Sequence, residues 1–101
     1  MARVAYTVTA TLPDEQVRAD YEAWLLGGHV QLVIEAGAST AQVIRFSDSP
    51  IRVQSRYEFP SEEAFQGYLQ DHAPRLRPDG IARFGSVPGV SFAREVGTIL
   101  D

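Results

Sequence analysis

Alternating larger and smaller side chains mark the two ends of the chain. Residues 4–10 have a larger set and a smaller set at every second position, and residues 90–96 repeat the pattern with Phe92 and Arg94 in the larger set. Successive side chains of a β-strand point to opposite faces of the sheet, so a period of two indicates strands. The pattern therefore predicts a first strand and a closing strand.

A hairpin is predicted in the middle of the chain. Residues 40–47 and 51–59 are rich in strand-forming residues, and the turn-forming run Ser47-Asp48-Ser49-Pro50 separates them. The second run has one largely apolar face and one polar face. The first face comprises Ile51, Val53, Ser55, Tyr57 and Phe59, and the second Arg52, Gln54, Arg56 and Glu58.

The first helix is predicted to begin at Pro13 and to break before His29. Pro13 suits a first helical position because its φ is already close to the helical value. Gly27-Gly28 costs a helix about 1 kcal/mol per glycine relative to alanine, so a kink or break is expected there. A short second piece should follow over residues 30–36 and end at Gly37, since glycine adopts the left-handed backbone without steric penalty.

The second helix should begin after Ser61 and end near His72. Serine is a preferred N-cap, and the residues from Ala64 to Leu76 place apolar side chains at the three-and-four spacing of one buried face. Pro74 disfavours a helical backbone at the residue before it. Pro78 is then expected to open one more short turn toward residue 84.

Taken in order, these elements predict one α+β domain over residues 1–101. The simplest packing is a four-stranded antiparallel sheet with both helices on one face, the split βαβ arrangement βαββαβ. The polar row of residues 51–59 would then share the other face with smaller side chains. These are Ala5, Thr7, Thr9, Ser91 and Ala93. Such a face could receive a second sheet or face water, and the pattern does not choose between them.

Composition removes several classes of function. The 101 residues include no cysteine and no lysine, which excludes thiolate chemistry and Schiff bases on an internal lysine. A net charge of −4 without a basic stripe argues against a nucleic-acid partner. The N-terminal residues lack a signal-peptide core, and no stretch approaches the roughly 20 apolar residues of a membrane span. We therefore expect a cytoplasmic protein without a membrane partner.

One signature resembles a known family. His72-Ala73-Pro74-Arg75-Leu76-Arg77 is followed by Ala82-Arg83-Phe84-Gly85, with Trp24, Leu25, His29, Val30 and Gly37 upstream. These residues resemble the DUF4286 family of small uncharacterised bacterial proteins, over almost the whole chain. The resemblance implies a ferredoxin-like fold of the dimeric α+β barrel superfamily and hence a homodimer. It implies no reaction and no catalytic residues.

A candidate pocket is expected between the helices and the sheet. Pockets of this kind combine apolar walls with a few polar groups, and the chain supplies both. The candidate ligand-binding residues are Tyr6, Trp24, His29, Tyr57, Tyr68, His72 and Arg75. His29 and His72 are also the catalytic candidates, because histidine exchanges protons near neutral pH. Each could instead be structural, at a bend or a helix end. No helical metal motif is formed, so no metal is expected.

Two functions fit this pocket. One is a cofactor-independent enzyme that uses a histidine as acid or base on a small organic molecule, anionic or aromatic in character. The other is a non-catalytic binding or interaction module whose dimer is the functional unit. An open cleft holding both imidazoles would favour the first, and a cleft filled by Trp24 and Tyr68 the second.

Overall fold

The computed structural model describes residues 2–101, in which four strands and four helices follow one another. The strands are β1 (Val4–Thr11), β2 (Thr40–Arg45), β3 (Arg52–Phe59) and β4 (Ser91–Thr98). The helices are α1 (Glu15–Trp24), α2 (Val30–Glu35), α3 (Glu62–Asp71) and α4 (Ala73–Phe84). A π-helical turn, Leu25–His29, joins α1 to α2. Both helical connections are thus made of two pieces.

The sheet is antiparallel throughout, in the order β2-β3-β1-β4. Each helical connection joins two strands that are separated by a third. The predicted ferredoxin-like βαββαβ fold is therefore confirmed. The register places Tyr6 opposite Tyr57 and Val8 opposite Arg94, so all four side chains belong to the same face of the sheet.

The helices cover that face. Tyr6, Tyr57 and Phe59 are almost completely buried there, and they pack with Phe65 and Tyr68 of α3 into the larger of two hydrophobic clusters. Such burial of large aromatic side chains is the main favourable contribution to the stability of a small domain. Residues of the polar row of β3 pair instead with Ala5, Thr7 and Thr9 on the opposite face, as the alternation predicted.

Two predicted helix starts are wrong. The first helix begins at Glu15 and not at Pro13, because the Asp14 carboxylate accepts a hydrogen bond of 2.9 Å from the Val17 N–H, which is the role of an N-cap. Pro78 opens no new turn but lies inside α4, which runs unbroken from Ala73 to Phe84. Leu76 and Phe84, on either side of Pro78, are both buried. Their packing holds the segment in one helix in spite of the proline.

The helix interruptions occur where the glycines and Pro74 predicted them. Gly28 has a φ of 152° within the turn before α2, and Gly37 has a φ of 129° just after that helix. His72 separates α3 from α4, and Pro74 lies in the first turn of α4. None of the helices in residues 2–101 has the length and apolar character needed to cross a membrane.

Candidate functional site

A cavity of about 40 Å³ lies between the helices and the sheet. Strands β1 and β3 contribute two tyrosines to its wall, and the helical layer contributes aromatic and charged side chains. The main wall residues are Tyr6, Tyr57, Tyr68, Trp24, His29 and Arg77. The space holds roughly three water molecules, given the 10–15 Å³ that one water needs, and is far below the roughly 150 Å³ of a benzene-binding cavity.

The π-helical turn positions His29. The Val30 N–H donates to the Leu25 carbonyl, five residues earlier, so the turn holds one residue more than an α-helical turn. Gly28 absorbs the local change of direction with its positive φ. As a result, the His29 imidazole stacks on the Trp24 indole, with ring centroids 4.1 Å apart and planes inclined by 23°. The turn that contains Gly27 and Gly28 thus places His29 against Trp24, where both rings line the cavity.

Trp24 is held in place by α4. Its indole N–H donates to Asp79 Oδ2 over 3.0 Å, and Arg83 Nε donates to the other oxygen over 3.1 Å. These contacts hold the pKa of Asp79 below its usual value. Gly80 makes the approach possible, since a Cβ at that position would lie 2.8 Å from the Trp24 ring. The Trp24 indole is therefore held by its hydrogen bond to Asp79 and by close packing against Gly80.

The environment of His29 favours the neutral imidazole. Burial lowers the pKa of His29, and the carboxylate of Asp79 offsets only part of that effect. A neutral imidazole that borders a cavity can accept a proton from a bound molecule. The position and protonation of His29 therefore suit a general base.

Burial favours the neutral phenol form of Tyr21, Tyr57 and Tyr68. Burial raises the pKa of Tyr57 to about 12, with the nearby Ser55 hydroxyl acting in the opposite direction, and burial also raises the pKa of Tyr21 to about 12. The pKa of Tyr68 is likewise raised by burial. Among residues 2–101, no partner forms a hydrogen bond of good geometry with the buried Tyr57 hydroxyl.

Two arginines that were not among the predicted ligand-binding residues border the cavity. Arg77 Nη2 donates to the Tyr6 hydroxyl over 3.2 Å, and within the described part of the chain its buried Nε has no acceptor. Arg94 of β4 lines the same space. A signal for Arg94 was present, because it occupies the larger-residue face of the closing strand between Phe92 and Val96. Arg94 is exposed at the edge of the sheet, but it lies on the face that the helices cover and can therefore reach the cavity.

Five of the seven predicted ligand-binding residues meet at the cavity, namely Tyr6, Trp24, His29, Tyr57 and Tyr68. The other two are His72 and Arg75. Neither lines the cavity, and the Arg75 guanidinium instead contacts His72 Nδ1 at the start of α4. Helix geometry explains why Arg77 lines the cavity and Arg75 does not. Residues two apart on a helix point in different directions, so α4 can direct only one of these two arginines toward the sheet.

The cleft is mostly filled and contains one of the two imidazoles. Trp24 and Tyr68 occupy much of the space between the helices and the sheet, as in the non-catalytic alternative, whereas His29 remains at the cavity as the catalytic alternative requires. Nowhere in residues 2–101 do three or more histidine, aspartate or glutamate side chains come together as metal ligands would.

Sequence comparison identifies a family but no functional relative. A family model described as "Domain of unknown function (DUF4286)" matches residues 3–97. No functionally curated protein matches this chain in sequence. The resemblance found in the His72 to Gly85 segment is thereby confirmed at the level of the whole domain.

Solved structures share the fold at low sequence identity. A monooxygenase from Streptomyces coelicolor, in complex with nanaomycin D, has a TM-score of 0.75 and 18% identity, with 99% of this chain and 89% of that chain covered. SnoaB, a cofactor-independent oxygenase from Streptomyces nogalater, has a TM-score of 0.73 and 14% sequence identity, with 100% of this chain and 96% of that chain covered. A dimeric ferredoxin-like protein from an uncultured marine organism has a TM-score of 0.70 and 16% sequence identity, with 100% of this chain and 98% of that chain covered. Likeness at such identities shows the fold alone.

Proposed function

Because the chain belongs to the DUF4286 family, whose function is unknown, we propose a function from its own site: it binds a small organic molecule between the helices and the sheet. Tyr6, Tyr57 and Tyr68 supply aromatic surface and hydroxyl groups, and the stacked Trp24 and His29 form the opposing wall. A mainly apolar space with a few convergent polar groups is the usual form of a ligand site.

The observation that carries this proposal is a pair of unpaired polar groups. Arg77 Nε is buried without an acceptor in residues 2–101, and the buried Tyr57 hydroxyl, although Ser55 lies nearby, forms no hydrogen bond of good geometry there; both residues border the same cavity. An unsatisfied buried polar group costs about 1–3 kcal/mol, and native proteins retain few of them. A ligand oxygen at the cavity would satisfy such groups.

The small cavity implies that a ligand enters by displacing rim side chains. The space of about 40 Å³ admits a polar head group, whereas a ring must lie nearer the rim. Ile81 borders the cavity and is 53% exposed, so it is able to change rotamer. Exposed side chains do so within nanoseconds, so a change of rotamer at Ile81 is fast.

The test compares Tyr57→Phe with the unaltered protein. Native mass spectrometry would detect a co-purified small molecule, and thermal unfolding would report stability. We expect Tyr57→Phe to keep or raise the melting temperature, because it removes only an unpaired hydroxyl, and to retain less ligand. Equal ligand retention by both proteins, or a complete absence of small-molecule binding, would overturn the proposal.

A cofactor-independent enzyme is the second candidate function, and neutral His29 favours it. The imidazole would take a proton from an acidic O–H or C–H group, while the electron pair stays on the substrate as an oxyanion near Arg77. SnoaB, which shares the fold, is described as a cofactor-independent oxygenase, so a domain of this fold is able to act without a cofactor.

Deuterium exchange separates the enzyme from the non-catalytic binding module. An enzyme of this type should incorporate deuterium from D₂O into a C–H acid that binds at the cavity, and His29→Ala should abolish the exchange while ligand is still retained. Binding without exchange would favour the binding module instead.

A homodimer is proposed through the helix-free face of the sheet. That face carries a hydrogen-bonded row in which Gln54 Nε2 donates to Thr9 Oγ1 over 3.1 Å and Arg56 donates to Gln54 over 2.9 Å. The small size of the domain and the dimeric ferredoxin-like neighbour support such packing.

An interface of this kind should exceed about 1,000 Å² in total. Sedimentation should give a dimer, and Thr7→Arg, at the centre of the face, should give a monomer; a wild-type monomer at micromolar concentration would contradict the assembly.

A further inference from the structure

The charge of the cavity is unusual for an acidic protein. The chain has nine arginines and a net charge of −4. Four arginines pair with carboxylates, namely Arg3, Arg18, Arg45 and Arg83. Arg77 and Arg94 border the cavity and, like Arg52, Arg56 and Arg75 elsewhere, form no ion pair within the described part of the chain. The residues of the cavity wall thus include two arginines and no carboxylate.

Both arginines act on the same region of the wall. The positive charges of Arg77 and Arg94 each lower the pKa of Tyr68, although burial raises it more. Arg77 also lies over the Tyr6 ring, with its guanidinium carbon 5.9 Å from the ring centroid. The two cations therefore approach the tyrosine cluster from α4 and from β4.

The polar groups of the cavity are mainly hydrogen-bond donors. Arginine has five N–H donors and no acceptor, and a neutral phenol has one O–H donor. Arg77 Nε is buried without an acceptor among residues 2–101, and the buried Tyr57 hydroxyl, with Ser55 nearby, forms no hydrogen bond of good geometry there. An acceptor with more than one oxygen can meet several such donors at once. A planar carboxylate matches a guanidinium in particular, because its two oxygens can accept parallel N–H bonds.

We propose that this cavity receives the carboxylate group of a small aromatic monocarboxylic acid, with Arg77 and Arg94 as its charge partners and the Tyr57 hydroxyl as a further donor. The inference rests on the proposed ligand-binding function and adds the chemical class of the ligand. The volume of about 40 Å³ accommodates a carboxylate, and the aromatic part of the acid lies toward Ile81 and Phe92 at the rim.

Benzoate and benzamide form a suitable pair of chemical probes, because they have nearly the same shape and differ in charge. Binding can be followed by the fluorescence of Trp24, the one tryptophan of the chain, and by thermal unfolding. We expect benzoate to bind about tenfold or more tightly than benzamide, as one charge-assisted hydrogen bond allows.

Arginine variants assign the preference to the cavity. Arg77→Leu and Arg94→Gln should each reduce benzoate affinity about tenfold and leave benzamide affinity unchanged. Arg75→Leu is the matched control, since it removes the same charge from the exposed side of α4 and should leave both affinities unchanged. Arg94→Gln also serves if Arg77→Leu does not fold, because Arg94 is exposed on an edge strand.

Each outcome decides between the two proposals. Equal binding of benzoate and benzamide would overturn the carboxylate inference and leave the ligand-binding function in place. An equal loss of benzoate affinity in Arg75→Leu would show a general charge effect and would also overturn the inference. Failure of both probes to bind would count against the carboxylate site and the ligand cavity together.

Discussion

The two helical connections are each interrupted at a histidine, yet the two histidines end in different environments. His29 closes the π-helical turn between α1 and α2 and stacks on Trp24 at the cavity. His72 separates α3 from α4, lies outside the cavity wall and contacts Arg75. A histidine beside a helix-breaking residue is therefore not enough to identify a site.

The difference comes from what each break does to the helix path. At the first break, Gly28 takes up a φ of 152° and the chain continues in a helical sense, which keeps the next side chain beside Trp24. At the second, α3 ends and α4 restarts with Pro74 in its first turn, so the imidazole sits at a helix boundary. Only the first break places a ring against the tertiary core.

The strongest way to break the His29 arrangement is Trp24→Ala. The substitution removes the stacked ring and the hydrogen bond to Asp79, and we expect the free energy of unfolding to fall by about 3 kcal/mol, the lower end for such truncations because the indole is only half-buried. Urea unfolding followed by circular dichroism would measure it, since the variant lacks tryptophan fluorescence. Trp24→Phe keeps a ring and should lose about 1 kcal/mol. Equal stability of Trp24→Ala and wild type would disprove the anchoring role.

The two neighbouring glycines provide a matched pair for the next test. Gly28→Ala should reduce the free energy of unfolding by about 1–2 kcal/mol, because an alanine is strained at the positive φ of this residue. Gly27→Ala should instead raise it by about 0.5–1 kcal/mol, since Gly27 is helical and a Cβ there meets no atom within 4 Å. Thermal or urea unfolding would compare the two, and a loss of similar size in both variants would refute a special role for Gly28.

The pH dependence of stability sharpens the comparison at His29. Burial lowers its pKa in the folded protein, so on acidification the unfolded chain takes up a proton first, near the ordinary value of 6.5. The contribution of neutral His29 to the free energy of unfolding is therefore fully present above that value and is lost as the pH falls through it toward the lower folded pKa. His29→Gln should flatten this part of the curve in urea unfolding between about pH 5 and pH 8. An unaltered curve would mean that His29 is not the titrating group.

The smallest effects are expected at the other break. Arg75→Ala removes an exposed side chain whose contact is with His72, and surface changes of this kind usually alter stability by less than about 0.5 kcal/mol. His72→Ala should leave benzoate binding unchanged, because His72 does not line the cavity. Fluorescence titration and urea unfolding would check both expectations. Loss of benzoate binding in His72→Ala would contradict this expectation and show that His72 takes part in ligand binding.

Sequence-based predictions that depended on local backbone geometry were mostly accurate, whereas those that depended on packing between distant residues were not. The strand alternation, the break at Gly28 and the stop at Gly37 depend on local backbone geometry, and the structure confirms them. The start at Pro13 was wrong because two local signals competed and the Asp14 side chain provided the better cap. The restart at Pro78 was wrong because burial of Leu76 and Phe84 outweighed the local preference of proline.

By itself, the sequence determined the ferredoxin-like order of strands and helices, the family, and the aromatic side chains that face the helices. Periodicity and turn chemistry act over a few residues, so they can be read without knowledge of the packing. Only the tertiary structure decided that Arg77 and Arg94 line the same cavity as the tyrosines while Arg75 does not. Arg77 and Tyr6 are far apart in the chain, and their contact depends on the direction in which α4 crosses the sheet. That direction is set by the summed burial of side chains from several elements, which no local pattern contains.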